Sequence, residues 1–127
     1  MNILGIGIDI VEIDRIKKVL KRNRSFIHKI YTQKERESCI GKKHISCYAK
    51  KYAAKEALVK ALGTGFRYGI NFKSIEIKND KLGKPFVNLN KILSNKIKKK
   101  YRVKKYNIFL SISDEDKFAI ANIIITK

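Results

Sequence analysis

One segment limits the folds open to this chain more than any other: Tyr52-Ala53-Ala54-Lys55-Glu56-Ala57-Leu58-Val59-Lys60-Ala61-Leu62, closed by Gly63-Thr64-Gly65. Ala49, Ala53, Ala57 and Ala61 recur every fourth residue, so they share one helical face that carries nothing larger than a methyl group. Such a face lets another element approach the helix backbone closely. The spacing predicts a long helix from about Ile45 to Leu62, with Gly63 as its C-terminal stop. Gly65 and Gly69 leave the following loop free to take left-handed backbone angles. Near the start of the chain, residues 2–8 are apolar and β-rich, and predict a buried strand that delivers the carboxylate of Asp9 at its end.

The remaining elements follow from periodicity and turn chemistry. From Glu12 to about Leu20, Ile13, Ile16, Val19 and Leu20 recur at helical spacing, while Arg15, Lys17, Lys18, Lys21 and Arg22 give the other face a cationic surface. Phe26, Ile27 and Ile30 are candidate core anchors. Thr32-Gln33-Lys34-Glu35 has the spacing of a capping box and predicts a short helix; the functional alternative for Glu35, a third acidic group near a metal, is the weaker reading. Ser74–Lys78 and Pro85–Leu89 flank a turn-forming segment, residues 90–100 form a lysine-rich helix, and Asn107–Ser113 and Phe118–Thr126 are strands about Asp114-Glu115-Asp116-Lys117. The order defines a single α+β domain over residues 1–127: an N-terminal strand, helices including one long alanine-rich helix, and a mostly antiparallel sheet.

Composition agrees with one soluble globular unit. The chain has 127 residues, 44% hydrophobic and 32% charged, with one proline and seven glycines, which argues against disorder. No basic N-terminal region precedes a long apolar run, and no window approaches the ~20 apolar residues of a membrane span, so a cytoplasmic protein without membrane contact is expected. Cys39 and Cys47 lack metal-ligand partners at short spacing and are expected to be thiols in a reducing compartment. His28 and His44 are isolated and take no catalytic role. The net charge of +19 would attract polyanions, but lysine, isoleucine and asparagine abound everywhere, so charge alone selects a partner class weakly.

The chemistry-bearing residues acquire meaning together. An aspartate after a strand is ordinarily a turn former or a cap, and Glu56 with Lys60, one helical turn apart, is ordinarily a surface ion pair contributing about 0.3–0.5 kcal/mol. Glu56 and Lys60, however, lie in the least solvent-like part of the helix, next to a glycine-bounded loop. Mg²⁺ is a hard cation usually held by one or two carboxylates together with substrate phosphates and water. Asp9 and Glu56 can supply the carboxylates, and Lys60 can meet the phosphate. Such a site suits attack at phosphorus, because metal and lysine stabilise the charge that develops there.

At this point the chain resembles a known family, the holo-(acyl carrier protein) synthases, the small trimeric class of 4′-phosphopantetheinyl transferases. The matching segments are Gly5-Ile6-Gly7-Ile8-Asp9-Ile10-Val11-Glu12, Thr32 through Glu35, Ala53-Ala54-Lys55-Glu56-Ala57, Lys60-Ala61-Leu62-Gly63-Thr64-Gly65, Gly83-Lys84-Pro85 and Leu110-Ser111-Ile112-Ser113-Asp114-Glu115. They occur in the family's order and spacing. The resemblance implies transfer of 4′-phosphopantetheine from coenzyme A to a serine of apo acyl carrier protein, with Mg²⁺, in fatty acid biosynthesis, releasing adenosine 3′,5′-bisphosphate. It implies Asp9 and Glu56 as metal ligands, Lys60 as a catalytic pyrophosphate contact, and Gly63, Thr64, Gly65, Lys84 and Pro85 near the nucleotide. The general base is left between Glu56 itself and a water on the metal. The resemblance also implies a homotrimer with active sites between subunits, and an acidic carrier protein docked on Arg15, Lys18, Lys21 and Arg22.

Two positions depart from the commonest family pattern. Lys51 stands where arginine is frequent, keeping charge but losing bidentate phosphate geometry, and Asp114 stands where histidine is frequent. Two rivals remain. A basic nucleic-acid-binding module would rest on the net charge and on residues 96–105, of which seven are basic, interleaved with Tyr101. No recognition-helix, zinc-finger or RNA-recognition signature accompanies that run, so it is read as a solvated helix end and loop, with no specific nucleic acid expected. A catalytically silent relative kept as a binding subunit is disfavoured by the intact Asp9, Glu56 and Lys60.

Overall fold

A computed structural model describes residues 2–127. The chain runs β1 (Ile3–Glu12), α1 (Ile13–Arg22), α2 (Arg24–Ile30), α3 (Gln33–Ser38), α4 (His44–Leu62), a 3-10 turn (Phe72–Ser74), β2 (Ile75–Asn79), β3 (Pro85–Leu89), α5 (Lys91–Tyr101), β4 (Asn107–Asp114) and β5 (Phe118–Thr126). One antiparallel sheet has the order β1-β5-β4, and β2 pairs with β3 as an antiparallel hairpin. The α+β class and the long alanine-rich helix are as expected from the sequence.

Helix α4 lies across β1 and β5, and the alanine stripe explains how closely. Ala53 and Ala57 are fully buried, and Ala61 nearly so. The strand side of the contact is made by two glycines: a Cβ at Gly5 would stand 2.2 Å from the Ala61 carbonyl oxygen, and one at Gly7 would stand 1.9 Å from that of Ala57. Methyl groups on the helix and bare Cα atoms on the strand together bring the two backbones into contact. Gly63 then ends the helix in a left-handed cap, its N–H donating to the Val59 and Lys60 carbonyl oxygens.

β1 is longer than the sequence suggests. It continues to Glu12, so Asp9 lies inside the strand, opposite Ala121, and not at its end. The alternation explains the extension: Val11 follows Asp9 on the side facing the core, while Ile8 and Ile10 lie on the other. That other side is apolar and uncovered. Ile6, Ile8 and Ile10 on β1 are 56–60% exposed, and Ile120 on β5 and Phe109 on β4 continue the patch across the sheet.

On the opposite side of α4, a buried ion pair ties the helices to the hairpin. Thr32 and Glu35 form the expected capping box, but Glu35 does more than cap. Its Oε1 accepts from Lys55 Nζ at 2.6 Å and its Oε2 from the Ile77 N–H at 2.9 Å. Lys55 donates its remaining bonds to the Ile30 and Phe72 carbonyl oxygens, so every ammonium hydrogen has a partner although the side chain has no solvent exposure.

The two cysteines differ from expectation: Cys39, capping the end of α3, and Cys47, in the first turn of α4, form a disulfide instead of standing as thiols. The four residues 40–43 turn the chain back on itself, which brings the two Cα atoms to 5.4 Å, within bridging range.

Candidate active site

Three of the residues singled out from the sequence converge on one place. Strand β1 holds Asp9 on its α4-facing side, and α4 presents Glu56 and Lys60 to it. Lys60 Nζ donates to Asp9 Oδ1 at 3.0 Å. The lysine therefore pairs across the strand–helix contact and not with Glu56 one turn earlier, so the ordinary i,i+4 surface pair is not what forms. Asp9 is mostly covered, at 14% exposure, whereas Lys60 is 55% exposed and can turn toward a ligand.

A cavity of ≈ 220 Å³ opens beside this pair, walled by Asp9, Glu56, Tyr52, Arg15 and Phe26. Burial pushes the Glu56 carboxyl above its ordinary range and the nearby Asp9 charge adds to that, while the Tyr52 hydroxyl and Lys60 act in the opposite direction. Tyr52 is itself pushed up to about 12, by burial and then by the Glu56 charge and its hydrogen bond. Two carboxylates thus face one cavity, with Arg15 in its wall and Lys60 paired to Asp9 as the nearby positive charges. That donor set fits a hard divalent cation that completes its shell with water and phosphate oxygens. Among the described residues no group of three or more acidic, histidine or cysteine side chains exists that would make a closed metal cage.

The other predicted residues fall into separate groups. Arg15 lines the same cavity, on the first turn of α1. Lys18 pairs with Asp14 on the surface at 3.0 Å, and Lys21 and Arg22 occupy the last turn of α1. Gly63, Thr64 and Gly65 follow α4 directly, with the Thr64 hydroxyl donating to the Gly65 carbonyl oxygen. The Gly83-Lys84-Pro85 turn does not reach Asp9 and Glu56 within the chain. Gly83 and Pro85 instead line a second cleft of ≈ 170 Å³ with Lys50, Lys51 and Asp114, which shares no residue with the first cavity. Lys51, where the family commonly has arginine, is buried and donates to the Ile77 carbonyl oxygen at 2.8 Å.

Sequence reasoning missed Tyr52 and Lys55. Tyr52 lies one turn before Glu56, and an i,i+4 count from that carboxylate finds it. Lys55 carried no local signal, since a lysine in a helix is ordinarily solvated; its depth shows only once α3 and the β2–β3 hairpin are packed around it.

The family of the chain follows from comparison with known proteins. It belongs to the 4′-phosphopantetheinyl transferase superfamily, whose model matches residues 5–121. A holo-[acyl-carrier-protein] synthase of Pelagibacter ubique (strain HTCC1062) is 47% identical over 130 residues, covering 100% of this chain and 99% of that protein. The crystal structure of the holo-[acyl-carrier-protein] synthase from Neisseria meningitidis superposes with a TM-score of 0.87 at 36% identity, over 99% of this chain and 100% of that one. The Helicobacter pylori synthase, solved in complex with coenzyme A, gives a TM-score of 0.81 at 32% identity, over 95% and 99% of the two chains. Within the superfamily the chain is thus an enzyme of the holo-(acyl carrier protein) synthase type. Among the described residues no helix is long and apolar enough to cross a membrane.

Proposed function

We propose that this enzyme transfers the 4′-phosphopantetheine group of coenzyme A to a serine of an apo acyl carrier protein, and that it serves fatty acid biosynthesis in the cytoplasm. The observation that carries the reading is the meeting of Asp9 and Glu56 at one cavity, with Lys60 donating to Asp9 beside it. A bound Mg²⁺ would be held by Asp9 and Glu56 and would polarise the pyrophosphate, lowering the energy of the charge that builds on it. Lys60, released from Asp9 toward the ligand, holds a pyrophosphate oxygen. The serine oxygen forms its bond to the β-phosphorus as the bond from that phosphorus to the bridging oxygen breaks. Adenosine 3′,5′-bisphosphate departs with the bridging oxygen, and the hydroxyl proton passes to Glu56 or to a water at the site. Holding the serine oxygen, the β-phosphorus and the departing bridging oxygen in line supplies the entropic part of the rate enhancement.

The same reading makes the enzyme a homotrimer with its sites between subunits. Two features support it. The apolar face of the β1-β5-β4 sheet is uncovered in the single chain, and burying it by association is favourable. The cleft holding Gly83 and Pro85 is separate from the Asp9–Glu56 cavity, so a ligand long enough to touch both groups is accommodated when one subunit supplies each. Arg15, at the mouth of the cavity on a cationic helix, with Lys18, Lys21 and Arg22 continuing that surface, is placed to receive an acidic carrier protein. A specific nucleic-acid partner forms no part of this reading.

The test is mass spectrometry of an apo acyl carrier protein incubated with the enzyme, coenzyme A and Mg²⁺, beside an EDTA control. The expected result is a metal-dependent gain of one phosphopantetheine arm, ~340 Da by the stoichiometry of a single transfer at the metal-assisted site. No gain from a folded enzyme with several carrier proteins would leave a silent binding relative in its place.

A further inference from the structure

The basic run that follows Asn95 finds no use in the transfer reaction, yet it borders a sizeable groove. The groove, of ≈ 590 Å³, runs between the end of α4, the loop after it and α5. Its floor is aliphatic: Leu62, Ile70, Leu93 and Ile97. Its rim is cationic: Lys96, Lys99, Lys100 and Arg102, with no carboxylate among the lining residues. The volume is that of a site for a small organic ligand.

A second observation converges on the same groove. Two non-glycine residues among those described have left-handed backbones, Tyr68 at φ 58° and Arg102 at φ 53°, and both line it. The Arg102 backbone is the left-handed cap that ends α5, whereas that of Tyr68 is disfavoured for a residue with a side chain and needs support from its surroundings. Here each is held in place. Lys96 Nζ donates to the Tyr68 carbonyl oxygen, and the Arg102 N–H caps α5 through the Lys98 and Lys99 carbonyl oxygens. The result leaves the Tyr68 ring 76% exposed at the mouth of the groove.

The polar groups narrow the ligand. Lys96 is engaged by Tyr68, Lys100 lies over the Tyr101 ring at 5.7 Å, and the Thr64 hydroxyl donates to the Gly65 carbonyl oxygen. Lys99 and Arg102 remain for a head group, and the guanidinium fork matches a carboxylate. The floor offers no donor or acceptor side chain, so a nucleoside, a sugar or a peptide backbone would leave polar groups unpaired there. We propose that this groove binds a single-chain acyl carboxylate, with the chain along Leu62, Leu93 and Ile97 and the carboxylate between Lys99 and Arg102. The groove shares no lining residue with the Asp9–Glu56 cavity, its one overlap with the transfer reading being Thr64, and the experiment below reads binding without transfer.

The experiment is isothermal titration of the intact protein with sodium dodecanoate below its micelle concentration, with butyrate as the short-chain arm. Expected is a saturable site of one per chain, at least tenfold tighter for dodecanoate than for butyrate. Lys99→Glu with Arg102→Glu, both at exposed positions, should weaken dodecanoate at least tenfold, while Lys81→Glu, outside the groove, should leave it unchanged. Equal affinities for the two acids would make this a plain anion site and overturn the acyl reading. Non-saturating uptake, or equal sensitivity to Lys81→Glu, would reduce the effect to general attraction by the +19 charge and overturn it too. Displacement of dodecanoate by an acidic helical peptide that binds more tightly would assign the groove to a protein partner instead.

Discussion

Gly7 sits directly against Ala57: a methyl group in place of the glycine hydrogen would stand 1.9 Å from the Ala57 carbonyl oxygen. This contact sets the distance between the strand that carries Asp9 and the helix that carries Glu56. Because backbone meets backbone, no side-chain rotation can relieve a clash there. Gly7→Ala is therefore expected to destabilise the fold by about 3 kcal/mol or more, at the upper end of overpacking costs, and to impair catalysis by pushing the two carboxylates apart. Urea denaturation measures the first effect and turnover of the surviving folded fraction the second; a stable, fully active variant would mean the close approach is not what fixes the site.

Glu56→Gln keeps the shape of the side chain and removes its charge. Transfer should be lost while thermal stability and oligomeric state are retained. Wild-type turnover in this variant would remove Glu56 from the metal and from the proton transfer together.

Arg15→Glu reverses charge at the edge of the cavity on α1. The KM for carrier protein is expected to rise at least tenfold while that for coenzyme A changes little, since rim charges act chiefly on encounter with a charged protein. Equal changes in both constants would place the carrier protein elsewhere.

Lys55→Met leaves Glu35 buried without its partner, and should cost about 3–5 kcal/mol, as breaking one side of a buried pair does. The double variant Lys55→Met with Glu35→Gln should regain part of that loss. Denaturant midpoints of the three variants decide it; an additive double variant would show that the two side chains stabilise the fold independently.

Alkaline stability follows from Tyr52. Its folded-state pKa, about 12, lies above the unfolded value of 10.0, so its contribution is complete below pH 10 and is lost as pH rises toward 12. Tyr31 is displaced in the same direction, chiefly by burial. Tyr52→Phe should therefore flatten the decline of stability between pH 10 and 12, read from thermal midpoints across that range; an unchanged slope would mean that this hydroxyl is not protected by the fold.

Much of the architecture was legible from the order of residues alone. The Thr32–Glu35 capping box, the Gly63 stop, and the strands Pro85–Leu89 and Phe118–Thr126 all form where the local pattern places them. Each signal is contained within a few residues of itself, so it survives without knowledge of the fold. The end of β1 was not legible, because an aspartate reads locally as a turn or a cap; it stays in the strand since β5 is long enough to pair with it as far as Glu12. The disulfide was equally hidden, as a spacing of eight residues does not say that the chain doubles back between the cysteines.

The sequence by itself singled out Asp9, Glu56 and Lys60 as candidate site residues and put them on a strand and a long helix. Only the tertiary structure decided that Lys60 takes Asp9 as its partner, that Lys55 lies buried against Glu35, and that the Gly83–Pro85 turn stands apart from the carboxylates. The physical reason is one of range. Helix periodicity and caps are fixed by neighbours within a turn or two, whereas a side chain's partner is fixed by whichever distant backbone packs against it, and here that packing follows from two glycines meeting an alanine face.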